Sequence, residues 1–459
     1  MMVHLRAVLL AAVTAVGLDA AALAADLPTK MPIKAPPLVG YSWDGFYVGG
    51  YYGTALGNQT GSTPDFGVTG SHTGQTNINA YGAALGLTAG YNWQFAPHWL
   101  VGLEGEFGYL NIKRSEVEFN DNTQIGLKTD WYGTARARFG YVTGPSLLYA
   151  TGGGAFVHSR DEFGGNLSTQ FSTQSSKTTA SWTAGYGVET KLSRAWSAKT
   201  EYLFIDGGGS NDFIANPRGI TGVPSTFDHS YHLVKTGLNY KFGEPESFFA
   251  FFNAPPIPSD HNWQGFYVGV NVGGGQSLVH TTQFTTFPGN VDVNGTGFAG
   301  GGQIGYNLTG VLSPKLFVGV EGDIGALRIH AMMNDWFDTE AQFTANTRWY
   351  ATARGRFGVN TGPALIYFTA GGAWVHLSDG FTPITGAPNA QLSTNTPGGW
   401  TIGGGTEVAL DAHWSARVES LYMDVGHQSF LILPPNSNFG AEFRNRFQVV
   451  RAGLNYKIW

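Results

Sequence analysis

The sequence predicts an all-β fold: a transmembrane antiparallel β-barrel, present as two tandem eight-stranded up-and-down barrels. Three observations predict it. Short stretches alternate apolar and polar side chains, with cations on the polar face. The connections between them alternate long and short. The whole pattern then occurs a second time. The clearest alternating stretch is WYGTARARFG, residues 131–140. Trp131, Gly133, Ala135, Ala137 and Phe139 share one face; Tyr132, Thr134, Arg136, Arg138 and Gly140 share the other. Period-two alternation marks a strand with different surroundings on its two sides. A soluble sandwich does not aim two arginines into its core. A barrel strand in lipid wants apolar residues outward, polar residues inward and aromatics at the interfaces.

Composition agrees. The chain has 459 residues, 66 of them glycine, with 14% aromatic and only 13% charged residues. Soluble proteins carry nearer a quarter charged residues. The net charge of −6 gives no reason to expect a nucleic-acid partner. Cysteine is absent, which excludes disulfides, thiolate metal sites and a lipid-modified cysteine. At the N-terminus, a weakly basic start (His4, Arg6), a short apolar core (Ala7 to Leu18) and Ala22-Leu23-Ala24 read as a cleavable export signal. No later run is long and apolar enough for a helical crossing.

The elements follow in order. Residues 1–24 are the expected signal peptide and 25–42 a proline-rich periplasmic lead. The first barrel is expected over 43–242. Its strands are Gly45 to Gly53, Ala83 to Trp93, Trp99 to Leu110, the arginine strand, Leu147 to His158, Trp182 to Leu192, Trp196 to Asp206 and His232 to Phe242. The first connection reads as about 28 polar loop residues, and the next as a short turn at Gln94 to His98. The rest keep this alternation, as expected for long outer loops and short periplasmic turns. An even strand count places both termini in the periplasm. Residues 243–260 form a linker holding Pro245, Pro255, Pro256 and Pro258, and 261–459 is the second barrel.

The second copy is legible residue by residue. WYATARGRFG (349–358) keeps eight of the ten letters of the arginine strand. TGPALIYFTAGGAWVH answers TGPSLLYATGGGAFVH, and RAGLNYK answers KTGLNYK. This is a whole-domain duplication.

Three motifs, W-x-G-F-Y-V-G at the start, W-Y-x-T-A-R-x-R-F-G in the middle and G-L-N-Y-K-F at the end, resemble alphaproteobacterial outer-membrane immunogenic, porin-family proteins. The resemblance implies OmpA-like eight-stranded barrels with surface and envelope roles, and it covers nearly all the mature chain twice. The tandem copy departs from it. The terminal aromatics Tyr240 and Phe242 resemble the signal read by outer-membrane assembly machinery. Tyr456 and Trp459 are their counterparts, with Trp459 one residue later than Phe242.

Inward positions carry charge. In the first copy these are Glu104, Glu106, Arg136, Arg138, Glu189, Lys199, Glu201 and Lys235. The second has Glu321, Asp323, Arg354, Arg356, Glu407, Arg417, Glu419 and Arg451, and each position keeps its sign. Buried charges must pair, and an eight-stranded barrel is just wide enough to be filled by side chains. A salt-bridged interior is therefore expected. Strands three and four, and six to eight, are neighbours that allow the pairing. Gly86, Gly185 and Gly187 are expected to leave room for the arginines. The functional alternative for these charges is an ion pathway. A rival reading of the whole chain is a porin-like passive channel, possibly one sixteen-stranded barrel formed by both halves. Eighteen linker residues favour two closed domains.

His158 and His376, and Asp206 and Asp424, recur at strand ends. With no matched serine or third ligand, they read as rim residues rather than a catalytic or metal site. Trp131, Trp182, Trp196 and their counterparts Trp349, Trp400 and Trp414 read as interface anchors. No cofactor and no metal is expected. The expected partners are outer-membrane lipid and lipopolysaccharide, and the assembly machinery. The expected function is a structural or surface-interaction role in the envelope, with no enzymatic activity.

Overall fold

A computed structural model describes residues 41–459, apart from 65–72, 118–122, 166–172, 209–212, 216–222, 245, 247–256, 285–289, 312, 335–340, 384–390, 433–438 and 459. The expected signal peptide, most of the proline-rich lead and Trp459 lie outside the described residues.

The first sheet comprises β1 (Gly45–Pro64), β2 (Thr73–Ala96), β3 (Trp99–Val117), β4 (Thr123–Thr143), β5 (Ser146–Gly165), β6 (Thr173–Lys191), β7 (Trp196–Asp206) and β9 (Val223–Lys241). A short β8 (Phe213–Ala215) pairs with the far end of β9. The second comprises β10 (Gly265–Phe284), β11 (Asn290–Thr309), β12 (Leu316–Asn334), β13 (Ala341–Asn360), β14 (Ala364–Pro383), β15 (Gln391–Asn395), β16 (Gly398–Ala409), β17 (Trp414–Ile432) and β18 (Phe439–Lys457). β15 and β16 both pair with β14, so together they make one barrel strand interrupted at Pro397. Proline has no N–H to give a ladder.

Each half closes on itself. β1 pairs antiparallel with both β2 and β9, in the register Val48↔Tyr240 and Thr54↔Val234. β10 likewise joins β11 and β18, with Val268↔Tyr456. The G-F-Y-V-G start of each copy thus meets its own G-L-N-Y-K end. The result is two closed eight-stranded antiparallel barrels, not one sixteen-stranded barrel. Toward the short turns every strand is paired on both sides, as lipid requires; farther out, residues 173–182 of β6 have a ladder with β5 alone among the described residues.

β7 keeps the expected bounds, Trp196–Asp206, but other strands run well past the expected ends. Residues 54–64 and 73–82, read from sequence as loop, continue the β1–β2 ladder to Pro64↔Thr73. The physical reason is that crossing hydrocarbon needs only about ten residues of strand. Farther out, outward residues such as Thr54 and Thr60 can be polar while the backbone stays paired. At the other end the turns are tight. Gly144 and Pro145 alone link β4 to β5. Gly144 takes φ +59°, and proline follows with φ restricted near −65°, a turn that glycine enters at no steric cost.

Outward faces are apolar, with Leu85, Leu87, Leu103 and Phe107 among the exposed residues of the first barrel. Of the tryptophans expected as interface anchors, Trp182 and Trp400 are exposed. Trp196 departs from that expectation: it is buried, whereas Trp414 stays half exposed.

The barrels lie side by side, short-turn ends together. Contacts run from β2, β3, β6 and β7 to β11, β12, β16 and β17. At the short-turn end Val188 packs with Val408, Ala416 and Val418. At the other end Arg114 pairs with Asp292 at 2.9 Å.

Candidate functional site in the barrel interiors

Inward parity on five strands brings the predicted charges of the first barrel together. Glu104 and Glu106 come from β3, Arg136 and Arg138 from β4, and Glu189 from β6. Lys199 and Glu201 come from β7, and Lys235 from β9. All eight are buried. Arg136 is the hub. Its guanidinium donates to Glu104 at 2.5 Å, Glu106 at 2.6 Å and Glu201 at 2.7 Å. Arg138 pairs with Glu189 at 2.8 Å, and Lys199 with Glu104 at 2.9 Å. Lys235 bridges Glu106 at 2.6 Å and Glu201 at 2.9 Å.

The second barrel repeats every one of these pairs. Arg354 donates to Glu321 at 2.5 Å, Asp323 at 2.7 Å and Glu419 at 2.8 Å. Arg356 pairs with Glu407 at 2.8 Å and Arg417 with Glu321 at 2.5 Å. Arg451 bridges Asp323 at 3.0 Å and Glu419 at 2.7 Å. Several pairs, Arg136 with Glu201 among them, cross the lumen rather than joining neighbouring strands.

The tyrosines are participants that the sequence reading missed. Tyr47 donates to Glu104 at 2.8 Å and accepts from Arg138 at 2.7 Å. Tyr149 donates to Glu201 at 2.7 Å and lies under the Arg138 guanidinium, 4.0 Å from its ring centre. Tyr132 donates to Glu106. Tyr267, Tyr367 and Tyr350 are the counterparts, with Arg451 donating to Tyr350 at 2.7 Å. Their inward parity and recurrence in both copies were available signals. The glycines consequently serve a different purpose from the one expected. A side chain on Gly86 would strike Tyr51, one on Gly187 would strike Tyr149, and one on Gly185 would meet the Tyr202 carbonyl. They make room for phenol rings and close-packed backbone, not for arginines.

Glu104, Glu106 and Glu201 converge closely enough to suggest a metal cage. Arg136, Lys199 and Lys235 already supply their positive charge, so no cation is called for. The belt is capped on both sides. Toward the short turns, Trp43 is buried with Leu100, Val142 and Leu147, its indole N–H donating to Gly144 O at 3.3 Å. Trp263 repeats this with Gly362 O at 2.7 Å. Toward the loops, Ile112, Leu127, Leu203, Phe227 and Leu233 fill the first barrel. Leu327, Val375, Met423 and Phe447 fill the second.

The paired histidines and aspartates answer to different partners. His158 stacks on Trp131 at 5.6 Å and His376 on Trp349 at 5.8 Å. Asp206 accepts from the Gly208 N–H at 3.1 Å, and Asp424 pairs with Arg444 at 2.9 Å. Tyr240 packs edge-on against Trp196 at 5.2 Å, while Phe242 and Tyr456 are exposed.

Beneath the barrels the linker is anchored. Glu246 accepts from the Ser193 hydroxyl at 2.6 Å and from the Ala195 and Arg194 N–H groups at 3.0 and 3.1 Å. Partial burial opposes ionisation, but these donors prevail and hold its carboxyl below the ordinary carboxylate range. In the second barrel Asp411, at the position of Ser193, caps its own turn by accepting from the His413 and Trp414 N–H groups at 2.7 Å.

Residues 8–242 and 247–457 each match the outer membrane protein beta-barrel domain family. The chain belongs to this family. It is an outer-membrane β-barrel protein that carries the family domain twice. It is 33% identical over 253 residues to the 31 kDa outer-membrane immunogenic protein of Brucella melitensis biotype 1, spanning 52% of this chain and 100% of that protein. It is 32% identical over 214 residues to the 22 kDa outer membrane protein of Rhizobium leguminosarum bv. viciae, spanning 46% of this chain and 82% of that protein. Among solved structures, Neisserial surface protein A aligns at 14% identity and a TM-score of 0.24, covering 43% of this chain and 97% of that one. OprG from Pseudomonas aeruginosa aligns at 11% identity and a TM-score of 0.30, covering 43% and 99%.

Proposed function

We propose that the chain is a structural barrel pair of the cell envelope, with the short turns and both termini periplasmic and the long connections facing outward. One observation carries this reading over a channel: the charged belt is paired and closed to bulk solvent. The side chains of Arg136, Glu104, Glu106, Glu201 and Lys235 have 0% exposure. Ions moving through a lumen would need those groups to meet water. Apolar layers above and below the belt support the same conclusion. Each barrel is a filled post, and its outward surface is what it offers to lipid and to other molecules. The reading assigns it no reaction. Planar-bilayer recording of the purified protein tests it. Silent membranes are expected, and large stable steps of nanosiemens scale would overturn it.

A further inference from the structure

The eight belt charges keep their signs between the two barrels, whereas the outer surfaces differ in the arrangement of their charges. In the first barrel, Tyr109, Trp131 and His158 are cross-strand neighbours forming an aromatic rung toward the loop end. Just beyond it, Lys113 pairs with Lys128 across β3 and β4, and Lys128 with Arg160 across β4 and β5. Residues opposite one another in an antiparallel ladder share a face. That face is the outer one, because Ile112, Leu127 and Asp161, the alternate residues, are buried inside. Three cations therefore stand in one row, with strands about 4.8 Å apart. Among the described residues the acidic neighbours are Asp130, which pairs with Lys128 at 3.1 Å, and Glu162, two residues beyond Arg160. In the second barrel the same row is His330, Asn346 and Ser378. Like charges set directly opposite destabilise a sheet, so this row stands against a cost that the second barrel avoids.

We propose that Lys113, Lys128 and Arg160 form a docking surface for the phosphate groups of an anionic glycolipid of the outer leaflet. The assignment rests on the orientation given above, with the long connections outward. Aromatic rungs sit at headgroup level, which sets the cations at the height where lipid phosphates lie. Acyl chains then run down the apolar wall past Tyr109 and Phe107, both exposed. Arginine accepts phosphate bidentately and lysine acts as a point charge.

The test uses the full chain in detergent and diphosphoryl lipid A as probe, with its dephosphorylated form and inorganic phosphate as comparisons. Diphosphoryl lipid A should bind best, and millimolar inorganic phosphate should fail to displace it. The triple variant Lys113→Gln, Lys128→Gln, Arg160→Gln should lose roughly tenfold to a hundredfold in affinity, near one order of magnitude per charge at most. Installing the row in the second barrel with His330→Lys, Asn346→Lys and Ser378→Arg should add a second site. Unchanged binding by the Gln triple variant, or equal displacement by phosphate, would overturn the site. Because the chain has no cysteine, Ser115→Cys reports orientation separately. Labelling by an impermeant maleimide on intact cells is expected. If that variant stays unlabelled while detergent binding still needs the three cations, the orientation is overturned and the outer leaflet with it.

Discussion

Thr200 of the first barrel and Thr406 of the second share a hydrogen bond, their hydroxyl oxygens 2.8 Å apart, across the face where the barrels meet. The duplication gives this pair a mate. Thr200 corresponds to Val418 and Thr406 to Val188, and those two valines pack in one apolar cluster. The strand contacts obey the same exchange: β2 meets β12 as β3 meets β11, and β6 meets β17 as β7 meets β16. The two barrels are thus related as in an isologous dimer, with one polar pair on one side of the axis and one apolar pair on the other.

Because the mate side is built of valines, Thr200→Val with Thr406→Val should be well tolerated. Hydrogen bonds between membrane segments contribute about 0.6 kcal/mol on average, so the thermal transition should shift little. Thr200→Cys with Thr406→Cys should form an intramolecular disulfide in a chain that has no other cysteine. A faster-migrating band on non-reducing gels checks this; its absence under oxidant would show that the faces do not meet in the membrane.

The hub arginine supports a larger prediction. Arg136→Met removes the partner that Glu104, Glu106 and Glu201 share. Breaking a buried pair costs about 3–5 kcal/mol, so heat-modifiability on gels should be lost at a clearly lower temperature. Removing a carboxylate as well, with Glu201→Gln, should recover part of that loss. An unchanged transition in the single variant would mean that water reaches the belt.

Each barrel closes through its own first and last strands, so each half holds its own backbone partners. Residues 25–242 should fold alone in detergent, and so should 259–459. Circular dichroism and a compact heat-modifiable band are the readouts. Failure of both halves while the full chain folds would show that the shared face, not closure, supplies the decisive stability.

The linker carboxylate makes folding locally pH-sensitive. Glu246 has a depressed pKa in the folded state, so its contribution is present above its unfolded value, about 4.3. It is lost as pH falls through the lower folded value. Amide exchange at Ala195 and Arg194 should quicken across that acid window. Glu246→Gln should remove the pH dependence, and the Asp411-capped turn should keep its own. Exchange rates at Ala195 that follow only the intrinsic pH trend in both proteins would refute the anchor.

The sequence by itself determined which side chains face lipid and which face inward, and that the pattern occurs twice. Period two is a property of the extended backbone, so Arg136, Arg138 and Tyr132 fall on one side and Phe139 on the other wherever the strand lies. The repeated G-F-Y-V-G and G-L-N-Y-K motifs likewise marked two beginnings and two ends. Partners across the lumen were not legible. Whether Arg136 meets Glu201 depends on strand number, tilt and stagger, which set the radius of the closed sheet. Strand length was hidden for a related reason: beyond the hydrocarbon, ladder residues such as Thr54 and Thr60 are as polar as loop residues. The face joining the barrels was hidden too. On an outward surface Thr200 looks like any other small residue, and only the placement of a second barrel against it gives its hydroxyl a partner.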